Sequence, residues 1–154
     1  MRPRIYIDTS VVGGYFDEEF RETTELFFQQ FQAGDFMFVV SDLLDLELLH
    51  APARVRDLLA HYPPAFFERV ALTEEAETLA NQYIAEKVVG KTSLTDCRHI
   101  TLATLSRVDV LASWNFKHIV NMQRIHGYNS VNLRLGYQLL EIRSPKDLLT
   151  YEND

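Results

Sequence analysis

The stretch Ile5-Tyr6-Ile7-Asp8-Thr9-Ser10 decides the fold of this chain. Its three β-prone residues predict a short strand that ends at Asp8. The pair Gly13-Gly14 then marks a turn before a helical stretch from about Glu18 to Gln32. The sequence therefore begins with a strand, a loop and a helix, and an aspartate stands directly after the strand.

The alternation of strands and helices continues to the C-terminus. A second strand, Phe36 to Val40, ends at Ser41-Asp42, which caps a helix that carries Glu47. Further strands are predicted at Phe67 to Leu72, Val108 to Ala112 and Leu139 to Ile142, and further helices at Pro52 to His61, Glu74 to Val89, Ser93 to Ser106 and from Ser144 onward. The segment Tyr128 to Gly136 is predicted to be irregular. This rhythm is typical of an α/β protein with three layers, α/β/α, around a mostly parallel central sheet.

Polar residues follow three of the predicted strands. Asp8 follows the first strand, Ser41-Asp42 the second, and Ser113-Trp114-Asn115 the strand that ends at Ala112. Ligands of open parallel sheets bind beyond the carboxyl ends of the strands, where the strand order changes direction. The sequence therefore predicts that these separate segments converge on one crevice.

Composition limits the classes of function. The chain has 154 residues, 47% of them hydrophobic, which suits one globular domain. Cys97 is the only cysteine, so an internal disulfide and a thiolate-rich zinc site are excluded, and a reducing cytoplasm is favoured. No stretch is apolar over the roughly 20 residues of a membrane span, so we expect a soluble protein. The net charge of -7 argues against a broad grip on duplex DNA.

The acidic residues near the predicted crevice suggest a reason for the negative charge. Hydrolysis of a phosphodiester with Mg²⁺ or Mn²⁺ needs hard oxygen ligands, and carboxylates supply them. Two carboxylates about 4 Å apart repel each other by roughly 4 kcal/mol at an effective dielectric constant of 20, so a persistent cluster indicates a bound cation. Asp8, Glu47 and Asp96 are the candidate ligands.

At these residues the chain resembles the PIN domains, a family that includes the VapC-type toxin ribonucleases of bacterial toxin-antitoxin pairs. The resemblance rests on the first strand with Asp8-Thr9-Ser10, on Ser41 followed six residues later by Glu47, on Asp96-Cys97-Arg98-His99-Ile100-Thr101-Leu102-Ala103, and on Val110-Leu111-Ala112-Ser113-Trp114-Asn115. It covers nearly the whole chain and implies a single PIN-like domain over residues 1–154. It also implies a parallel sheet, a Mg²⁺ or Mn²⁺ site and endonucleolytic cleavage of RNA.

The resemblance assigns roles to individual residues. Asp8, Glu47 and Asp96 would be catalytic and would hold the metal, with Asp96 as a ligand or a base. The family's fourth acidic position falls on Asn115, which carries no charge and therefore favours one-metal chemistry and weaker activity. Supporting roles fall on Thr9, Ser10 and Ser113, and candidate RNA contacts are Arg98, His99, Lys117 and His118. The resemblance further implies an antitoxin protein as a partner, and a homodimer.

Several alternatives stay open from the residues themselves. Asp42 and Asp45 compete with Glu47 for the helix-borne position, and Ser93-x-x-Asp96 also resembles a helix-capping box. An aspartyl-phosphate hydrolase is disfavoured because Ser10 stands where its second acid is needed. A dinucleotide enzyme is disfavoured because Val11-Val12-Gly13-Gly14 lacks the G-x-G-x-x-G pattern. The serious rival is an inactive PIN-like domain that binds protein or RNA.

Overall fold

Residues 2–151 are described by a computed structural model of the chain. Five strands form one sheet in this range: β1 (Arg4–Ile7), β2 (Met37–Ser41), β3 (Phe67–Val70), β4 (Val110–Ala112) and β5 (Ile142–Arg143). The α-helices in the same range are α1 (Thr9–Gly14), α2 (Arg21–Gln32), α3 (Asp42–Leu48), α4 (Ala53–Arg56), α5 (Glu74–Ala85), α6 (Leu94–Leu105) and α7 (Met122–Arg134). Short 3-10 turns cover Leu58–His61, Pro64–Phe66, Lys91–Ser93 and Pro145–Leu148. None of the helices in this range has the length and hydrophobicity that crossing a membrane requires.

The sheet has the strand order β3-β2-β1-β4-β5, and every neighbouring pair is parallel. The chain first adds β2 and β3 on one side of β1, and then adds β4 and β5 on the other side. The strand order therefore changes direction between β1 and β4, where ligands of such sheets bind. Ile7 pairs with Ala112, so Asp8 and Ser113 leave the sheet side by side.

Two apolar cores cover the two faces of the sheet. Alternate residues of β1 point to opposite faces, so Ile5 and Ile7 enter one core while Tyr6 enters the other. Buried residues of α1, α2 and α3 complete the first core, and those of α5, α6 and α7 complete the second. The predicted three-layer α/β/α architecture is confirmed.

The prediction of irregular structure from Tyr128 to Gly136 is wrong, because α7 extends to Arg134. The segment is rich in residues with low helix propensity, but Tyr128 and Val131 lie one turn apart and are both buried. Gly127 is needed for close packing, since a Cβ there would lie 2.7 Å from Val88 Cγ1. Tertiary packing therefore overrides the local preference.

Other boundaries differ from the predictions for local reasons. The turn expected around Gly13-Gly14 is the end of α1, and a Cβ on Gly14 would lie 2.7 Å from the Trp114 ring. Helix α5 ends at Ala85 and not at Val89, because Lys87 adopts a φ of 61° and closes the helix. The helix expected over Pro52 to His61 divides into α4 and a 3-10 turn.

Candidate functional site

Asp8 is the centre of the site at the carboxyl ends of β1 and β4. Its side chain is only 3% exposed and caps the N-terminus of α1. Ser10 Oγ donates to Asp8 Oδ1 at 2.6 Å, the Val11 backbone N–H donates to the same oxygen at 3.3 Å, and Ser113 Oγ donates to Asp8 Oδ2 at 2.6 Å. The structure thus brings the predicted supports Ser10 and Ser113 into contact with Asp8.

Both serine hydroxyls are oriented by the loop after β4. The Trp114 backbone N–H donates to Ser10 Oγ, and the Asn115 backbone N–H donates to Ser113 Oγ, each at 2.9 Å. Because each oxygen accepts one of these bonds, its own hydrogen is free to point at Asp8. Two segments more than 100 positions apart therefore fix one carboxylate.

Glu47 on α3 belongs to a second group of contacts. Thr9 Oγ1 donates to Glu47 Oε1 at 2.9 Å, and His99 Nε2 lies 2.5 Å from the same oxygen. A carboxylate only accepts, so His99 Nε2 carries the proton. The predicted support Thr9 therefore contacts Glu47 and not Asp8.

A buried relay of polar side chains stands behind Glu47. Tyr6, which is fully buried, places its hydroxyl 2.6 Å from His99 Nδ1 and 2.9 Å from Ser41 Oγ. Ser41 also accepts the Leu44 backbone N–H and so caps α3. We define Ser41, Tyr6 and His99 as the relay, which holds Glu47 through His99 Nε2. Tyr6 was not among the site residues predicted from the sequence, although a tyrosine hydroxyl in a buried strand needs a partner and was the available signal.

Asp96 lies in the first turn of α6 and faces the loop after β4. Asn115 Nδ2 donates to Asp96 Oδ1 at 3.3 Å, and His118 Nδ1 lies 3.3 Å from Asp96 Oδ2. Asn115 Oδ1 in turn accepts the His118 backbone N–H at 3.0 Å. Ser93 makes no capping hydrogen bond, so the structure does not form the capping box that its spacing from Asp96 suggested.

The carboxylates of the site differ in how readily they ionise. Burial raises the pKa of Asp8 above its ordinary value, against His99 and the two serine hydroxyls. Burial also raises the pKa of Asp96 against the opposing charge of His118, and the charge of Asp8 raises it further. Burial opposes ionisation of Glu47 too, but the hydrogen bond and charge of His99, with the bond from Thr9, lower the pKa of Glu47.

Known structures share this architecture at low sequence identity. FitAB bound to an IR36 DNA fragment matches with a TM-score of 0.60 and 10% identity, covering 96% of this chain and 99% of that one. VapC20 of Mycobacterium tuberculosis, a sarcin-ricin loop cleaving toxin, matches with a TM-score of 0.57 and 11% identity, covering 73% and 91%. VapBC2 from Rickettsia felis, bound to a DNA fragment from its promoter, matches with a TM-score of 0.56 and 8% identity, covering 92% and 98%. The chain has a PIN-like fold.

The resemblance that the sequence motifs suggested is therefore confirmed for the fold. No family model matches the chain, and no curated protein matches it by sequence. At identities of 8% to 11%, the structural similarity establishes the PIN-like architecture alone, and the roles of individual residues have to be argued from the geometry of the site.

Asp8 and Asp96 are the two predicted ligands that the loop after β4 connects. Within residues 2–151, no three His, Cys, Asp or Glu side chains stand together as a ready-made metal cluster. Glu47 is held by Thr9 and His99, so the three predicted ligands do not form a single cage. The loop after β4 contacts both Asp8 and Asp96, through Ser113 Oγ and Asn115 Nδ2. Mg²⁺ is commonly held by one or two carboxylates and keeps several waters, so this pair fits a hard cation.

The rivals of Glu47 in the PIN-like chain have other partners. Asp42 Oδ1 accepts the Leu72 backbone N–H at 3.0 Å. Asp45 Oδ2 pairs with Arg69 at 2.9 Å on the exposed surface. Of the three candidates on α3, Glu47 is the one in hydrogen-bond contact with Thr9 and His99.

The four predicted RNA contacts occupy different surroundings. Lys117 is exposed in the loop after β4, and His118 is partly exposed beside Asp96. Arg98 is bound to Glu77 at 2.6 Å, which neutralises much of its charge. His99 is only 3% exposed and lies between Tyr6 and Glu47, so direct contact with RNA does not fit its position.

Proposed function

We propose that this chain is a metal-dependent endoribonuclease of the PIN type. The observation that carries the proposal is that one loop, at the switch point of a PIN-like sheet, holds both acids: Ser113 Oγ donates to Asp8, and Asn115 Nδ2 donates to Asp96. Burial disfavours the charge on both carboxylates, and Asp8 disfavours it further on Asp96. A divalent cation would relieve both effects, which is a physical reason for placing two acids at one site.

The surrounding residues would divide the work of phosphodiester hydrolysis. Asp8 and Asp96 would hold Mg²⁺ or Mn²⁺, and the bound ion would supply an activated water and neutralise charge on the phosphate. Ser10 and Ser113 fix the orientation of Asp8 through its two oxygens. Asn115 does the same for Asp96 and also binds the His118 backbone.

His118 is the group best placed to manage a proton. Its Nδ1 lies 3.3 Å from Asp96 Oδ2, and its side chain is 28% exposed, so it contacts the carboxylate and is also open to solvent. We assign it the delivery of a proton from the imidazole to the leaving oxygen of the RNA. Glu47, held by the relay, supplies negative charge at the edge of the site.

The known structures suggest the wider setting. FitAB and VapBC2 were solved bound to DNA fragments, and a further PIN-like match is a toxin-antitoxin complex from Klebsiella pneumoniae. By analogy, we propose that this chain is the toxin of a type II pair with an antitoxin protein as its partner. RNA as the substrate follows from the analogy with VapC20, and a homodimer stays a prediction.

One observation favours a second candidate function. The fourth acidic position of the family is the neutral Asn115, and the site lacks a ready-made cluster of three acids within the described residues. A domain that binds RNA or protein without cleaving it would tolerate both features. Cleavage itself distinguishes the two functions.

The test is incubation of the purified chain with labelled single-stranded and hairpin RNAs in Mn²⁺ or Mg²⁺. We expect discrete products that disappear with EDTA and return when excess metal is added. The Asp96→Asn variant should give no products, whereas Asp109→Asn, at the opposite end of β4, should cleave like the wild type. Absence of products from every RNA in both metals would contradict the proposal and favour the binding module.

A further inference from the structure

A basic cavity of about 470 Å³ lies where α5 ends and where α6 and α7 begin. Three of its lining residues are cationic, and none is acidic: the wall consists of Ile84, Ala85, Lys87, Val89, Gly90, Lys91 and Arg124. This composition stands out in a chain whose net charge is -7. We call this feature the basic cavity.

The three cations of the basic cavity are available to a ligand. Among the ion pairs formed within residues 2–151, none involves Lys87, Lys91 or Arg124. Arg124 Nη1 donates to the Val88 carbonyl, which fixes the guanidinium at the wall and leaves its other N–H groups free to donate. Three positive charges therefore meet without a carboxylate to neutralise them.

The backbone holds Lys87 in a conformation that does not suit a lysine. Its φ is 61°, and the helix closes through bonds from Lys87 N to Ile84 O and from Val88 N to Tyr83 O. Glycine is the residue that occupies this left-handed position without steric cost. This left-handed residue turns the chain at the end of α5 and places Lys87 in the wall of the basic cavity.

Two residues of the basic cavity lie a few positions along the chain from the proposed catalytic site. Lys91 stands five residues before Asp96, at the same end of α6. Arg124 stands six residues after His118, in the first turn of α7. Asp96 and His118 contact each other, so the segments that carry Lys91 and Arg124 both connect the cavity to the proposed site.

We propose that the basic cavity binds a backbone phosphate of the RNA, next to the phosphate that is cleaved. This inference rests on the proposed function. A negatively charged chain repels RNA at long range, but at about 0.1 M salt charges farther than roughly 10 Å are largely screened. The local cluster of cations then decides whether the strand is held against the acidic site.

Arg107 provides a matched control for Lys87. It is also a cation with a positive φ, 53°, and it closes α6 through the same pattern of bonds, from Arg107 N to Thr104 O and from Val108 N to Ala103 O. The basic cavity lies at the start of α6 and Arg107 follows its end, so a helix of 12 residues, about 18 Å long, stands between them. Replacing Arg107 changes the same charge in the same backbone setting, away from the cavity.

The experiment measures RNA binding to the full chain in EDTA by fluorescence anisotropy, so that cleavage does not interfere. We expect the Lys87→Gln, Lys91→Gln double variant to bind a labelled single-stranded RNA at least about tenfold more weakly. The slope of log affinity against log salt should become shallower by about 0.7 for each RNA phosphate that the variant no longer neutralises. Arg107→Gln should change the affinity less than about twofold, because surface charges away from the bound strand are screened.

Other results would overturn the inference. Equal affinity of wild type and double variant, an equal loss in Arg107→Gln, or no binding of RNA by the wild type would each do so. Loss of binding to polyglutamate with unchanged binding to RNA would assign the cavity to an acidic protein segment instead. Cleavage with unchanged RNA affinity in the double variant overturns the cavity alone, whereas cavity-dependent binding without cleavage by the wild type overturns the nuclease alone.

Discussion

Replacement of Asp8 by asparagine is expected to lower metal-dependent RNA cleavage on the order of a hundredfold or more. The change keeps the shape of the side chain and an oxygen that can accept from Ser10 and Val11, but it removes the charge that would bind the cation. Initial cleavage rates in Mn²⁺ measure the effect. Asp109→Asn is the control, because Asp109 Oδ2 accepts the Arg4 backbone N–H at the opposite, N-terminal ends of β1 and β4. Comparable activity of Asp8→Asn and wild type would contradict the assignment.

The same variant should show a second signature in its stability. Burial raises the pKa of Asp8 above its ordinary 3.8. At pH values between the ordinary pKa of the unfolded chain and the raised pKa of the folded chain, the folded chain therefore binds more protons. The unfolding free energy of the wild type therefore falls as pH rises through this interval, by up to about 1.4 kcal/mol per pH unit from this group. Asp8→Asn lacks this loss. The unfolding free energies are measured with urea in EDTA from about pH 4 to 8. As pH rises, the stability of the variant should increase relative to that of the wild type, and parallel plots of stability against pH would contradict the account.

Replacement of Tyr6 by phenylalanine is expected to destabilise the chain by about 1–3 kcal/mol. The ring still fills its place in the core, but His99 Nδ1 and Ser41 Oγ lose the hydroxyl that joins them. Because the relay holds Glu47, we also expect cleavage to slow about tenfold through kcat, with KM little changed. Urea unfolding and cleavage kinetics measure the two effects.

Tyr83→Phe is the matched control for this change. Tyr83 is equally buried, and its hydroxyl donates to Asn132 Oδ1 between α5 and α7, away from the relay. It should lose comparable stability and keep its kcat. If both variants lose activity in proportion to stability, the relay has no specific role in positioning Glu47.

The fold and the carboxylates could be predicted because their signals are local. Asp8 follows a short β-prone run, and the alternation of strands with helices predicts a parallel sheet with a crevice at the strand ends. The rule about strand ends predicts the convergence of Asp8 and Asn115. The role of Asp96, at the start of a helix, was predicted only from the resemblance to the PIN domains.

The rest depends on contacts between distant parts of the chain. The bond between Tyr6 and His99 joins residues 93 positions apart, so no local pattern distinguishes this histidine from one on the surface. The helicity of α7 depends on the approach of Val88 to Gly127. The basic cavity depends on the left-handed Lys87 at the end of α5, a conformation that sequence preferences assign to glycine.

Binding of a divalent cation by Asp8 and Asp96 at the switch point of the sheet can be tested directly in solution. The ¹⁵N-labelled chain is titrated with Mn²⁺, whose unpaired electrons broaden the NMR signals of nearby nuclei. We predict that the amide signals of Asp8, Asp96 and Asn115 broaden first, that Asp109 is spared, and that Asp8→Asn abolishes the selective effect. Uniform broadening, or broadening centred elsewhere on the chain, would contradict binding at this pair.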